Sequence, residues 1–169
     1  RRSQRVAWMR RQASWWRAHQ ATAAILGTRE ELWTHVQPDD WQGDYLEFGV
    51  FRGESMAWWS RNTRPSVRLF GFDTFTGLPE SWGGQAVGSY SADGVLPDID
   101  DDRIEYLVGT FAETVRPFLA TTALHHPLVV HLDADVYNST FEALRAMAPH
   151  LHGGDVLIFD ELLDVGTAD

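Results

Sequence analysis

Five short apolar segments recur along the chain: YLEFGV (45–50), VRLFGF (67–72), IEYLVG (104–109), LVVHLD (128–133) and DVLIFD (155–160). Helical patterns lie between several of them, at about 54–61, 112–120 and 139–150. Parallel strands cannot be joined by a tight turn and need a crossover, usually a helix. The alternation therefore predicts an α/β fold with a mostly parallel sheet. In such sheets ligands gather outside the carboxyl ends of the strands, where this chain also concentrates its acids and glycines.

One connection breaks the rhythm. Residues 74–103, TFTGLPESWGGQAVGSYSADGVLPDIDDDR, are rich in Gly, Pro and Asp, and a loop of that length in a compact domain is usually functional or disordered. Its acid cluster, Asp98 to Asp102, reads as a solvated turn. At 169 residues with 44% apolar content and eight Trp, the chain has material for one proper core. There is no Cys, so disulfide and thiolate chemistry are excluded and a reducing, cytoplasmic setting is the expectation. No apolar run approaches the roughly 18 residues of a membrane span.

The net charge of -10 is unevenly spread: residues 1–29 hold seven of the 14 Arg and no acid. The remainder is acidic, which argues against nucleic acid as a partner and permits a metal ion. The basic opening places Val6, Met9, Ala13 and Trp16 near helical spacing. A membrane-surface helix is one reading; a helix packing its Trp face on the domain or a second subunit is the simpler one. Thr28 and Glu31 have capping-box spacing and start a further helix to about Val36. The expected organisation is a helical lid or dimer element over 1–37 and a cofactor-binding domain over 38–169.

The first strand runs into Glu47-Phe-Gly49-Val-Phe-Arg-Gly53. Glycines there allow a tight turn and close approach to a ligand, and the next helix offers its first amide groups. This is not the G-x-G-x-x-G spacing of a pyrophosphate site. An acid beside the turn suits a ligand bearing an amine or sulfonium, such as S-adenosylmethionine. Asp73 ends the second strand about 20 residues on, where an acid accepts from ribose hydroxyls; as a purely structural residue it would be a turn Asp.

VVHLDADVYNST (129–140) ends an apolar strand in two carboxylates, and unpaired charge inside a sheet is costly. Asp133 closes this strand and Asp160-Glu161 the next. Neighbouring strands lie about 5 Å apart, so these acids can converge on one cation, and three oxygen ligands describe a Mg2+-type site. The alternative is that the acids only cap strand ends. Asp135 faces the following helix, whose NST offers capping groups. His131 alternates with Asp133 and points to the same side, but a His inside a strand is usually a hydrogen-bonded core residue.

Together YLEFGVFRGES, FGFDTFTGLPESW, YLVGTFAETV and HLDADVYNSTFEALRAMAPHLHGGDVLIFDEL resemble the macrocin O-methyltransferase family, over about Asp44 to Leu162. The resemblance implies a Rossmann-like class I methyltransferase sheet and an S-adenosylmethionine-dependent, metal-assisted O-methyltransferase acting on a natural-product sugar or polyphenol. It implies that Glu47, Gly49 and Gly53 hold the methionine end of the cofactor, Asp73 the ribose, and Thr110 and Phe111 the adenine. Asp133, Asp160 and Glu161 match the metal ligands, with Asp133 also catalytic, for Mg2+ or another divalent cation. Glu161 stands where the family often has a second Asp.

Two departures follow. Residues 74–124 contain no His to act as the base that sugar-methylating members use, leaving Glu80, Tyr90 or Asp93 as substitutes, or formation of a metal-bound oxyanion with the base unassigned. The chain also stops before the usual C-terminal hairpin strands, which implies truncation or an edge completed by a partner copy, hence a homo-oligomer. The competing expectations are a non-catalytic methyltransferase-like assembly module and, from the DAD motif, a metal-dependent glycosyltransferase.

Overall fold

The computed structural model describes residues 14, 17, 18, 22–82 and 84–160. Most of the basic opening segment, for which a helix is expected, Glu161 and the C-terminal residues therefore lie outside the described residues. The first full helix, α1 (Arg29–Val36), belongs to a different compact unit from the sheet. Its entry follows the capping logic with one change. Thr28 Oγ1 accepts from the Glu31 amide at 3.1 Å, whereas Glu31 Oε2 accepts from Gly27 N rather than from Thr28, at 2.6 Å.

The second unit holds five strands: β1 (Tyr45–Phe48), β2 (Leu69–Asp73), β3 (Ile104–Val108), β4 (Val129–Leu132) and β5 (Val156–Phe159). All pairings are parallel, in the order β3-β2-β1-β4-β5. The crossovers use α2 (Glu54–Asn62), α3 (Phe111–Thr121) and α4 (Tyr137–Met147), the last extended by a 3-10 turn at Ala148–His150. This is the mostly parallel α/β sheet that the alternation predicts, in the Rossmann-like arrangement that the resemblance implies. Among the described residues no helix is long and apolar enough to cross a membrane.

The registers divide the strand residues between two faces, because side chains alternate along each strand. One face carries Leu46, Phe48, Phe70, Phe72, Val130 and Leu132, buried against Val115 and Phe118 of α3 and Ala143 and Met147 of α4. Phe48 and Phe72 stack at 4.7 Å, and Phe118 meets Phe72 edge-on. Each such side chain contributes about 1.5–3 kcal/mol on burial, so this face is a major source of stability.

The other face is mixed. One cross-sheet row runs Tyr106–Gly71–Glu47–His131–Ile158. Beneath it Tyr45 stacks on Trp59 of α2 at 4.7 Å. The ladder continues one residue past the strands, with Asp133 N donating to Phe48 O and Asp160 N to Leu132 O. Asp133 and Asp160 thus fall on the same face as His131, at its carboxyl end. Helix α4 begins two residues earlier than its NST suggested, with Val136 at the cap position and no side-chain cap. Val136 is buried, so burial rather than capping chemistry sets this boundary.

The bottom of the sheet is held by Asp44, which is buried and bonded twice to Arg68: Nε to Oδ1 at 2.9 Å and Nη2 to Oδ2 at 2.6 Å. The same carboxylate accepts from His125 N at 2.8 Å, joining the entrances of β1, β2 and β4.

Candidate functional site

The turn after β1 is shaped by close backbone approach. Gly49 (φ +97°) and Gly53 (φ +77°) both adopt left-handed geometry, which glycine enters without steric cost. A Cβ at Gly49 would lie 1.8 Å from the Asp133 carbonyl oxygen, and one at Gly53 would lie 2.7 Å from Pro97 Cβ. Both glycines are thus required by neighbours within the protein, in addition to any ligand.

Asp73 braces this turn. Its Oδ2 accepts from the amides of Val50 and Phe51, and its Oδ1 from that of Phe75, all at 2.8 Å. A carboxylate offers about four acceptor positions, so these bonds leave room for about one more donor.

Glu47 is fully buried. Its Oε1 accepts from Ser55 Oγ in the first turn of α2, and His131 Nδ1 stands 3.7 Å from the same oxygen. His131 Nδ1 also lies 3.0 Å from the Tyr45 hydroxyl. A carboxylate and an imidazole set into a sheet interior cost several kcal/mol unless hydrogen bonds compensate, and such costs cluster at functional sites. At the end of the row the Tyr106 hydroxyl is buried with no hydrogen-bond partner among the described residues. Burial first, and the Glu47 charge second, push its pKa up to about 12.

At the strand tips His131, Asp133 and Asp160 each offer a ligand atom within 4.8 Å of the others. His131 is buried, Asp133 half-buried and Asp160 exposed, so the group opens outward at β5. His131 is the hydrogen-bonded core histidine that the sequence implies, buried and meeting the Tyr45 hydroxyl, and its i, i+2 relation to Asp133 sets both on one side of the sheet. Glu161 lies outside the described residues. Asp135 has left-handed backbone (φ +57°), in a tight turn where Val136 N donates to Ala134 O.

Thr110 and Phe111 open α3. Thr110 forms a capping box with Glu113, whose Oε2 accepts from Thr110 N at 3.0 Å and Oγ1 at 2.7 Å. These bonds hold the Glu113 pKa below its ordinary value. Phe111 meets Phe48 edge-on at 5.4 Å.

The long connection after β2 folds over the turn. Phe75 is buried, with its carbonyl accepting from Ala92 and Gly94, and Tyr90 meets Phe51 edge-on at 6.1 Å. Of the possible bases, Glu80 is tied to α4, its Oε1 accepting from Asn138 Nδ2 at 2.8 Å. Asp101 departs from the solvated turn expected: its side chain is only 12% exposed and pairs with Arg103 at 2.6 Å and with Ser60.

A parallel sheet with a glycine turn after β1, an acid at the tip of β2 and polar groups at the tips of β4 and β5 defines a nucleotide-cofactor-binding α/β domain. Residues 46–162 match the methyltransferase domain family, and the chain belongs to it. It is similar to 8-demethyl-8-(2,3-dimethoxy-alpha-L-rhamnosyl)-tetracenomycin-C 4'-O-methyltransferase of Streptomyces olivaceus, at 30% identity over 75% of this chain and 55% of the relative. Two solved structures of a calicheamicin methyltransferase are also similar, each at 26% identity. One has a TM-score of 0.53 and covers 71% of this chain and 58% of the other. The second, an apo structure described as a TDP-rhamnose 3'-O-methyltransferase, has a TM-score of 0.55 and covers 78% and 60%. The chain thus spans less than two thirds of the length of these relatives.

Proposed function

We propose that this chain carries the catalytic body of an S-adenosylmethionine-dependent O-methyltransferase of the macrocin type, acting on a hydroxyl of a natural-product sugar with the help of a divalent cation. The observation that carries the reading is the convergence of Asp133 and Asp160 at adjacent strand tips, beside the turn that contains Gly49 and Gly53. The relatives that act on rhamnose-bearing substrates support the acceptor class.

In this reading Gly49 and Gly53 shape the seat for the methionine end of the cofactor, and the buried Glu47 carboxylate supplies the counter-charge for its amine and sulfonium. Asp73 keeps an acceptor position for a ribose hydroxyl while fixing the turn with its other bonds. Phe111 and Thr110, at the start of α3, border the adenine. Asp133, Asp160 and Glu161 hold the cation, an arrangement for which the donor atoms of the first two are suitably grouped. When bound, a divalent cation lowers the pKa of adjacent acceptor hydroxyls and fixes their direction. When bound, S-adenosylmethionine would supply the methyl group, its sulfur keeping the electron pair of the broken bond, and the acceptor hydroxyl would give up its proton to a base. Glu80 is the candidate base held against α4. Orientation and exclusion of water supply most of the acceleration in such a displacement.

Titration of the intact chain with S-adenosylmethionine by calorimetry is the direct test, followed by mass spectrometry of rhamnosylated acceptors with Mg2+ or Mn2+ present. Saturable binding and gain of one methyl group are expected. A folded protein that binds no S-adenosylmethionine would overturn the reading.

A further inference from the structure

His131 has an environment that an ordinary core histidine does not need. Its ring is 1% exposed, its Nδ1 meets the Tyr45 hydroxyl at 3.0 Å, and the Glu47 carboxylate lies behind that nitrogen at 3.7 Å. Asp133 and Asp160 each bring a ligand atom within 4.8 Å of a histidine nitrogen and of one another. Histidines that bind metals usually present one ring nitrogen to the ion while the other is fixed by a polar partner, often a carboxylate. The Tyr45 hydroxyl and Glu47 occupy that orienting position here, on Nδ1. Asp133 is half-buried and Asp160 exposed, which gives a cation a path in from solvent.

We infer that His131, through Nε2, is a protein ligand of the cation site at the β4 and β5 tips, so that the site prefers a first-row transition cation such as Mn2+ or Co2+ over Mg2+. The inference rests on the metal-assisted reading above and deepens it. Magnesium takes oxygen ligands in near-ideal octahedral geometry and keeps several waters. An imidazole among carboxylates makes a mixed nitrogen and oxygen set, for which affinity rises from Mn2+ towards Cu2+. Tyr45 and Glu47 are then positioning residues that hold the ring in one tautomer and orientation. This gives the buried carboxylate a role besides that of cofactor counter-charge.

The test uses Mn2+ and the intact chain, with electron spin-echo spectroscopy as a readout independent of turnover. The wild type is expected to show modulation from a directly coordinated nitrogen and to bind Mn2+ more tightly than Mg2+. His131→Gln should lose the nitrogen signal, and its Mn2+ affinity should fall by at least the roughly 10–100-fold that loss of an outer-shell partner costs, with Mg2+ affinity changed much less. Tyr45→Phe keeps the packing volume and tests the same point if His131→Gln fails to fold: the nitrogen signal should weaken and Mn2+ affinity drop about tenfold. Absence of Mn2+ binding, or Mn2+ bound without nitrogen coupling, overturns the inference. Calorimetry with S-adenosylmethionine on the same sample separates the two readings. Cofactor binding without nitrogen coupling removes only this inference, whereas nitrogen coupling without cofactor binding removes the methyltransferase reading and leaves a metal site.

Discussion

The carbonyl oxygen of Asp133 lies 1.8 Å from the point a Cβ on Gly49 would occupy. The turn proposed to receive the cofactor and the strand tip proposed to hold the cation are therefore in backbone contact. Gly49→Ala would force a side chain into left-handed geometry, at about 1–2 kcal/mol, and into a backbone clash costing a further 1–3 kcal/mol or so. Urea unfolding should show a loss of about 2–5 kcal/mol. A variant as stable as the wild type would mean that the β1 and β4 tips separate readily.

Asp101 makes a pH-dependent contribution with a defined sign. Hydrogen bonds from the Arg103 side chain lower its pKa from 3.8 to about 2, against the opposing effect of burial, with Ser60 and the Arg103 amide adding to the lowering. A depressed folded-state pKa means that the stabilisation is present above the unfolded value of 3.8 and lost as pH falls through about 2. Wild type should exceed Asp101→Asn in stability by a constant margin near neutrality, and the margin should shrink between those two pH values. Denaturant midpoints across an acid series measure it, and a margin independent of pH would rule the pair out as a source of stability.

These two relationships also mark where the sequence stops being legible. The five strands and the three helices between them follow from local patterns, because apolar runs and helix periodicity are set by neighbouring residues. The shared side of His131 and Asp133 follows from alternation alone. By contrast, the neighbour that makes Gly49 necessary comes from β4, more than 80 residues away, and no local pattern encodes it. Asp101 reads as part of a solvated acid run because its partner Ser60, on α2, meets it only once the long connection packs there. The early start of α4 has the same origin, since burial of Val136 overrides the capping preference of Asn138 and Ser139. Glu47 was readable as an acid beside a glycine turn, but its full burial and its bond to Ser55 were not.

Tyr106 provides a test of the mixed face. Its hydroxyl is buried without a hydrogen-bond partner among the described residues, and burial together with the Glu47 charge raises its pKa to about 12. Removing a buried polar group that lacks a partner relieves its desolvation cost. Tyr106→Phe should be unchanged or up to about 1 kcal/mol more stable, read from thermal and urea unfolding. A clear loss of stability would reveal a partner for the hydroxyl, such as a buried water.

Asp133→Asn separates the structural role of this residue from its proposed chemistry. The backbone of Asp133 carries the structural part: its amide donates to Phe48 O, and its carbonyl packs against Gly49. Asparagine keeps both and closely matches the side chain's volume, so the fold and the turn after β1 should survive. The side chain loses its negative charge and one anionic oxygen, which a divalent cation needs. Cation affinity and methyl transfer should each fall by about 100-fold or more, while the S-adenosylmethionine dissociation constant stays within about twofold because the seat formed by Gly49, Gly53 and Asp73 is intact. Calorimetry for both ligands, beside a methyl-transfer assay, measures all three quantities on one preparation. Full turnover in the variant would refute the role assigned to Asp133. A parallel collapse of cofactor binding would show that the two sites cannot be treated separately, as their contact through Gly49 already allows for bulkier substitutions.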